Sequence, residues 1–165
     1  MKIVQLSDLH LPRMPGGELF GSSPLARLKV AIDCILADHA DATFCLLTGD
    51  LADAGSDEAY ATLAAALQRL PMPAHLLPGN HDSREALRRE FPQLPTNDGG
   101  FMQAALDTPA GRFLLLRRLG AAATSACWLA SCRRSPIASR WPAATPSSST
   151  RPSLRIFGLE PTFLT

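Results

Sequence analysis

A chain of 165 residues with 46% hydrophobic and 19% charged residues can bury one ordinary core, and its composition is that of a folded rather than a disordered protein. A formal net charge of +1 provides no global field for a nucleic-acid polymer or a membrane surface. No apolar run reaches the roughly 18 residues a bilayer demands, and MKIVQLSDLH is too short and too early in its charges for a signal peptide, so a soluble cytoplasmic protein is expected, with oligomerisation left open.

Along the chain, Lys2–Ser7 is rich in β-formers and reads as a strand, with a loop over Ser7–Pro12 and a turn at Gly16 and Gly17. Pro24 opens a helix running to about His39, with Leu25, Leu28, Ala31, Ile32 and Ile35 on one face. Ala42–Leu47 is a compact apolar strand, and Thr48–Gly55 is a loop. Ser56 caps the next helix, whose first turn carries Asp57 and Glu58 at the positive dipole end and which stops near Leu70, ahead of Pro71 and Pro73. Ala74–Leu77 is a short strand. The stretch LLPGNHDSR then carries a loop into a helix over Ser83–Phe91, for which Asp82 is the expected N-cap and Glu85 the partner in a capping box. Gly99 and Gly100 mark a break, and Arg112–Leu116 reads as a further strand. Cys34 and Cys45 lie in apolar runs and are expected to pack as reduced core residues, while Cys127 and Cys132 lack zinc-site spacing.

The alternation βαβαβα predicts an α/β fold with parallel strands joined by right-handed crossovers. In such a sheet ligands bind beyond the carboxyl ends of the strands. The first strand end supplies Asp8 and His10 from SDLH, the second Asp50 and Asp53 from TGDLAD, and the third Asn80 and His81 from PGNHD. Asp-x-His in a loop, Gly-Asp after a strand and a half-exposed histidine are each ordinary features. All three in this order, each at a strand end, form a specific pattern. Carboxylate, imidazole and amide oxygen together make a mixed oxygen and nitrogen set suited to Fe, Mn or Zn rather than Ca. Two metals about 3.5–4 Å apart clamp the attacking and leaving oxygens of a phosphoester. Gly-Lys-Ser/Thr for a P-loop, G-x-G-x-x-G after the first strand and a G-x-S-x-G elbow are all absent from the sequence.

With Asp-x-His, Gly-Asp-x-x-Asp and Gly-Asn-His-Asp in sequence, the chain resembles the calcineurin-like metallophosphoesterases. The wording of SDLHL, LFG, LLTGDLADAGSDEAY and LPGNHDSR is most similar to the branch of class III cyclic nucleotide phosphodiesterases and glycerophosphodiesterases. The resemblance covers about residues 1–116. It implies a layered α/β sandwich, represented here by its N-terminal βαβαβα half, and two metal ions. It implies that Asp8 and His10 hold the first metal, that Asp50 bridges, and that Asn80 holds the second. His81 would contact the phosphate of a small phosphodiester and protonate the leaving oxygen, and Asp53 would support from behind. A remnant that binds metal or phosphate without turnover is the second reading.

The family completes its site with histidines of its second half, one in a His-His-Pro-Pro-like loop and two in a Gly-His-x-His loop, whereas the 4 histidines here end at His81. The second layer of strands is expected to be missing as well, leaving an apolar sheet face exposed. Residues 1–107 hold 14 acidic and 8 basic residues, and residues 108–165 hold 1 and 8. Residues 117–165 therefore read as a poorly specified, mobile basic tail without sustained strand or helix period. A shifted reading frame near Leu116–Arg117 accounts for this, since a one-base shift across Ser149–Ser153 can be written to give His-Pro-Pro-Phe. The coding DNA around this point checks it. A one- or two-base correction should restore a downstream Gly-His-x-His, and an intact frame without it would remove the idea.

Overall fold

The computed structural model describes residues 1–97, 102–117, 127–131 and 153–158. Three parallel strands, β1 (Lys2–Ser7), β2 (Phe44–Gly49) and β3 (Ala74–Pro78), alternate with helices α1 (Pro24–Asp38), α2 (Asp57–Leu67) and α3 (Arg84–Glu90). All six residues of β2 are buried, as expected of a central strand covered on both faces. The register sets Leu6 beside Leu47 and Leu47 beside Leu76, so equivalent side chains form rows across the sheet.

The period of two sorts the side chains into two cores. Val4, Leu6, Cys45, Leu47 and Leu76 join Leu28, Ile32, Ile35, Tyr60, Leu63 and Leu87 beneath the helices. Ile3, Phe44, Leu46 and Leu77 form the opposite face. Helix α1 reaches the first core because residues 28, 32 and 35 repeat at helical spacing and are buried. Ser23 caps α1 by accepting from the Ala26 amide, and Ser56 caps α2 by accepting from the Ala59 amide.

The α/β class and the parallel βαβαβ order expected from the sequence are present. Boundaries shift where packing, not propensity, decides them. The second strand starts at Phe44 rather than residue 42 and runs on through Thr48 and Gly49, which pair with Leu77 and Pro78. Helix α2 ends at Leu67 because the next residues tighten into bonds from the Arg69 amide to the Ala66 carbonyl and from the Leu70 amide to that of Leu67. Cys45 is buried as expected and its thiol is pushed up to about 12 by desolvation. Cys34 is exposed, because it lies off the 28, 32, 35 stripe of α1.

The second layer is also a correction. Strands β4 (Ala104–Thr108), β5 (Gly111–Arg117) and β6 (Cys127–Ser131) form an antiparallel sheet. Its Phe113 and Leu115, 3% and 1% exposed, cover the face of Ile3, Phe44, Leu46 and Leu77 that the sequence left open. The Phe44 and Phe113 rings meet edge to face with centroids 5.9 Å apart. The β4–β5 hairpin is closed by Arg112 gripping Asp107 at 2.7 and 2.8 Å and by the Thr108 hydroxyl donating to the Gly111 carbonyl.

Two tail segments expected to lack structure are strands. Strand β7 (Ser153–Gly158) lies antiparallel to β1, with Lys2 opposite Gly158 and Ser7 opposite Ser153, giving the sheet order β3-β2-β1-β7. The open edge of β1 presents backbone donors and acceptors that an extended segment satisfies whatever its side-chain period. The Gly99–Gly100 break and the remainder of the tail lie outside the described residues. Among the described residues no helix is long and apolar enough to cross a membrane.

Candidate metal centre

Hydrogen bonding between neighbouring strands does not stop where the strands do. Beyond the end of β1, the Asp8 amide donates to the Thr48 carbonyl at 3.1 Å, the His10 amide to the Asp50 carbonyl at 2.9 Å, the Leu11 amide to that of Leu51 at 3.0 Å, and the Asp53 amide back to that of Leu11 at 3.0 Å. The first two loops are thereby zipped residue against residue. To follow this path Asp8 and His10 adopt φ of 55° and 46°. Non-glycine residues in that left-handed region cost on the order of 1–3 kcal/mol each and persist where the surroundings fix them. Gly49, at φ 81°, leaves room for the Asp8 carboxylate, whose Oδ1 would lie 2.6 Å from a Cβ placed there.

The result is a cluster of charged and imidazole groups at the carboxyl edge of the sheet. Asp8, His10 and Asp50 form one group of three whose ligand-capable atoms lie within 4.8 Å of one another, and His10, Asp53 and His81 form another. His10 belongs to both, because its ring stands between two carboxylates: Nε2 is 3.7 Å from Asp50 Oδ2 and Nδ1 is 3.5 Å from Asp53 Oδ1. Asp50 is 7% exposed, one of two buried polar residues among those described. Its Oδ1 accepts the His81 amide at 3.0 Å, so one carboxylate faces the first loop with one oxygen and the third loop with the other.

His81 is exposed, with its ring centroid 5.2 Å from that of His10. Its Nδ1 lies 2.9 Å from the Asp53 carbonyl, which only accepts, so Nδ1 carries a proton there and Nε2 is the nitrogen left for chemistry. Asn80 is the exposed residue between Gly79 and His81. Asp8, His10, Asp50, Asp53 and His81 are thus gathered at one edge, and Asn80 lies on the same loop as His81. Two carboxylates and an imidazole, as in Asp8, His10 and Asp50, form a donor set that fits a borderline divalent cation such as Mn, Fe or Zn.

Asp82 does not cap α3. Ser83 does, accepting from the Ala86 amide at 3.3 Å. Asp82 turns back into the protein, where Oδ2 accepts the Leu51 and Gly79 amides at 3.0 and 2.7 Å, and Oδ1 accepts the Ala52 amide and the Tyr60 hydroxyl, both at 2.9 Å. Burial pushes its carboxyl upward while these donors pull it down. Burial and the neighbouring Asp82 likewise raise the Tyr60 phenol. Sequence reasoning missed Tyr60, which reads as one more apolar helix residue and is fully buried. The missed signal was Ser83, an equally good cap one residue nearer the helix.

Residues 1–118 match the calcineurin-like phosphoesterase family. The chain belongs to that family. Among its relatives, a probable cyclic nucleotide phosphodiesterase of Rhodopseudomonas palustris is 39% identical over 123 residues, covering 74% of this chain and 44% of the relative. A probable glycerophosphodiester phosphodiesterase, GpdQ, of Arcobacter nitrofigilis is 32% identical over 94 residues, 55% of this chain and 33% of the relative. The 3',5'-cyclic adenosine monophosphate phosphodiesterase CpdA of Haemophilus influenzae is 29% identical over 97 residues, 59% and 35% respectively. This calcineurin-like chain therefore spans between a third and somewhat under half of the length of these relatives.

Within this chain, Gly79 is where the third loop presses on the second. A Cβ there would strike Asp50 Oδ1 and come within 2.7 Å of the Asp50 amide nitrogen and the Gly49 carbonyl carbon, which are backbone and cannot swing aside. Gly79→Ala is expected to cost ~1–3 kcal/mol of stability in urea unfolding, the range for overpacking. Wild-type stability would mean that the loop does not sit against Asp50.

Proposed function

We propose that the three loops form the metal-binding part of a phosphodiesterase centre, and that its reaction is metal-dependent hydrolysis of a small phosphodiester, a cyclic nucleotide such as 3',5'-cyclic AMP or a glycerophosphodiester. The meeting of Asp8, His10 and Asp50 with His81 at one sheet edge carries this proposal. Asp8, His10 and Asp50 would hold the first of two ions, and Asp50 and Asn80 would hold the second. Iron, manganese or zinc suits this donor set. When bound, the ions supply charge stabilisation at phosphoryl oxygens and acidify water.

The chain's own residues supply position and protons. Asn80 and His81 face the substrate phosphate. His81 is the catalytic residue: with Nδ1–H donated to the Asp53 carbonyl, Nε2 is the atom that exchanges a proton with the leaving oxygen. Asp53 Oδ1, near His10 Nδ1, orients that ring so that Nε2 faces Asp50. The choice of substrate class is supported by the activities for which the cyclic nucleotide and glycerophosphodiester relatives are named.

One observation favours a second reading, a protein that binds metal or phosphate without turnover. No histidine follows His81, so within these 165 residues the second ion would have Asp50 and Asn80 as its ligands. The phosphodiesterase reading and metal binding without turnover both require the first ion. The chain is expected to take up one Mn2+ per molecule and to hydrolyse bis(p-nitrophenyl) phosphate only slowly, both properties being lost in Asp50→Ala. Manganese bound without any turnover decides for the second reading. No bound manganese, or turnover that survives Asp50→Ala, would defeat the centre itself.

A further inference from the structure

We infer that Asp82 is a positioning residue that, together with Tyr60, clamps the Gly79–His81 loop onto the Asp50 loop and so sets the spacing of the metal centre. The inference rests on the proposed centre but concerns residues that bind neither metal nor phosphate in it.

The geometry is that of a junction. Asp82 gathers the Leu51 and Ala52 amides from the loop after β2, the Gly79 amide from the loop after β3, and the Tyr60 hydroxyl from α2. Each oxygen accepts two hydrogens, so the carboxylate serves three separate pieces of chain at once. Tyr60 extends the junction, since its oxygen donates to Asp82 and accepts the Ser83 amide at 3.0 Å. Leu51 and Ala52 directly follow Asp50, and Gly79 directly precedes Asn80. Removing the junction therefore acts on the ligand-bearing loops at their bases.

One further contact shows how the clamp would be felt at the site. The His81 amide is bound to Asp50 Oδ1, not to Asp82, yet it lies on the short loop whose other end is pinned by Gly79. A loop released at Gly79 loses its hold on Asp50 as well. Aliphatic side chains cannot replace the junction, because three buried backbone amides would lose their acceptor. Asparagine replaces half of it: its oxygen can accept two hydrogens, but its NH2 faces two donors.

The test uses the full 165-residue chain with two variants and two readouts, amide hydrogen exchange by NMR and Mn2+ affinity by titration calorimetry. Asp82→Asn is expected to speed exchange at Leu51, Ala52, Gly79 and also His81, while Val4 and Leu47 in the sheet keep their protection. Affinity for Mn2+ should fall by about 10-fold or more, the usual range for loss of a group that orients ligands. Tyr60→Phe removes only one donor and the Ser83 acceptor, and should give a smaller change at the same amides. It carries the test by itself should Asp82→Asn not fold. If the wild-type chain binds no Mn2+, the proposed centre fails, and the exchange pattern alone then decides the role of Asp82. An even rise in exchange across the sheet, or an unmoved His81 amide with unchanged affinity, would overturn the clamp and leave Asp82 a plain stabilising residue.

Discussion

The structure depends on the parallel register of β1, β2 and β3, and on the continuation of that register past the ends of the strands. Ser7 lies beside Thr48 and Thr48 beside Leu77. From that point the Asp8, His10 and Leu11 amides go on bonding to the Thr48, Asp50 and Leu51 carbonyls at the end of β2 and in the loop after it. A slip of one residue would turn Val4, Leu6 and Leu47 out of the helix-side core and carry Asp8 and His10 away from Asp50. Packing of the core and placement of the site are therefore one constraint.

The electrostatic consequence is a sheet edge that collects like charge. Asp8 and Asp50 lie in one close group, with Asp53 across the His10 ring. Carboxylates brought this close favour a cation among them. The protein supplies neutral and partly positive partners in part: the His10 ring between Asp50 and Asp53, and the His81 amide on Asp50. Asp82, a carboxylate of the same neighbourhood, is kept out of the cluster by bonding inward to backbone donors and Tyr60. The division is between carboxylates grouped around the His10 ring and one bonded to backbone amides and Tyr60.

Much of this was legible in the sequence because the first hundred residues carry short-range signals. Ser56 and the Leu28, Ile32, Ile35 stripe announce their roles by residue type and spacing, and both are found in place. The gathering of Asp8, His10, Asp50 and His81 followed from strand ends sharing an edge. The role of Asp82 did not, because side-chain type cannot show whether a carboxylate before a helix turns to the helix or away from it. Strand β4 was missed since Ala104–Thr108 has only partly buried and exposed residues and draws its stability from the hairpin with β5. Strand β7 was missed because its pairing answers an open edge far away in sequence. The sheet face thought to be open is closed by Phe113 and Leu115 from a strand that was expected, in a layer that was not.

The central claim is that the loops after β1 and β2 hold a divalent cation with His10 among its ligands. Pulsed electron paramagnetic resonance of the Mn2+-loaded chain tests it most directly, since a coordinated imidazole nitrogen modulates the echo. The modulation should be present in the wild-type chain, vanish in His10→Ala and persist in His39→Gln, a histidine at the far end of α1. Modulation that survives His10→Ala, or manganese that binds with no nitrogen signal at all, would contradict the account.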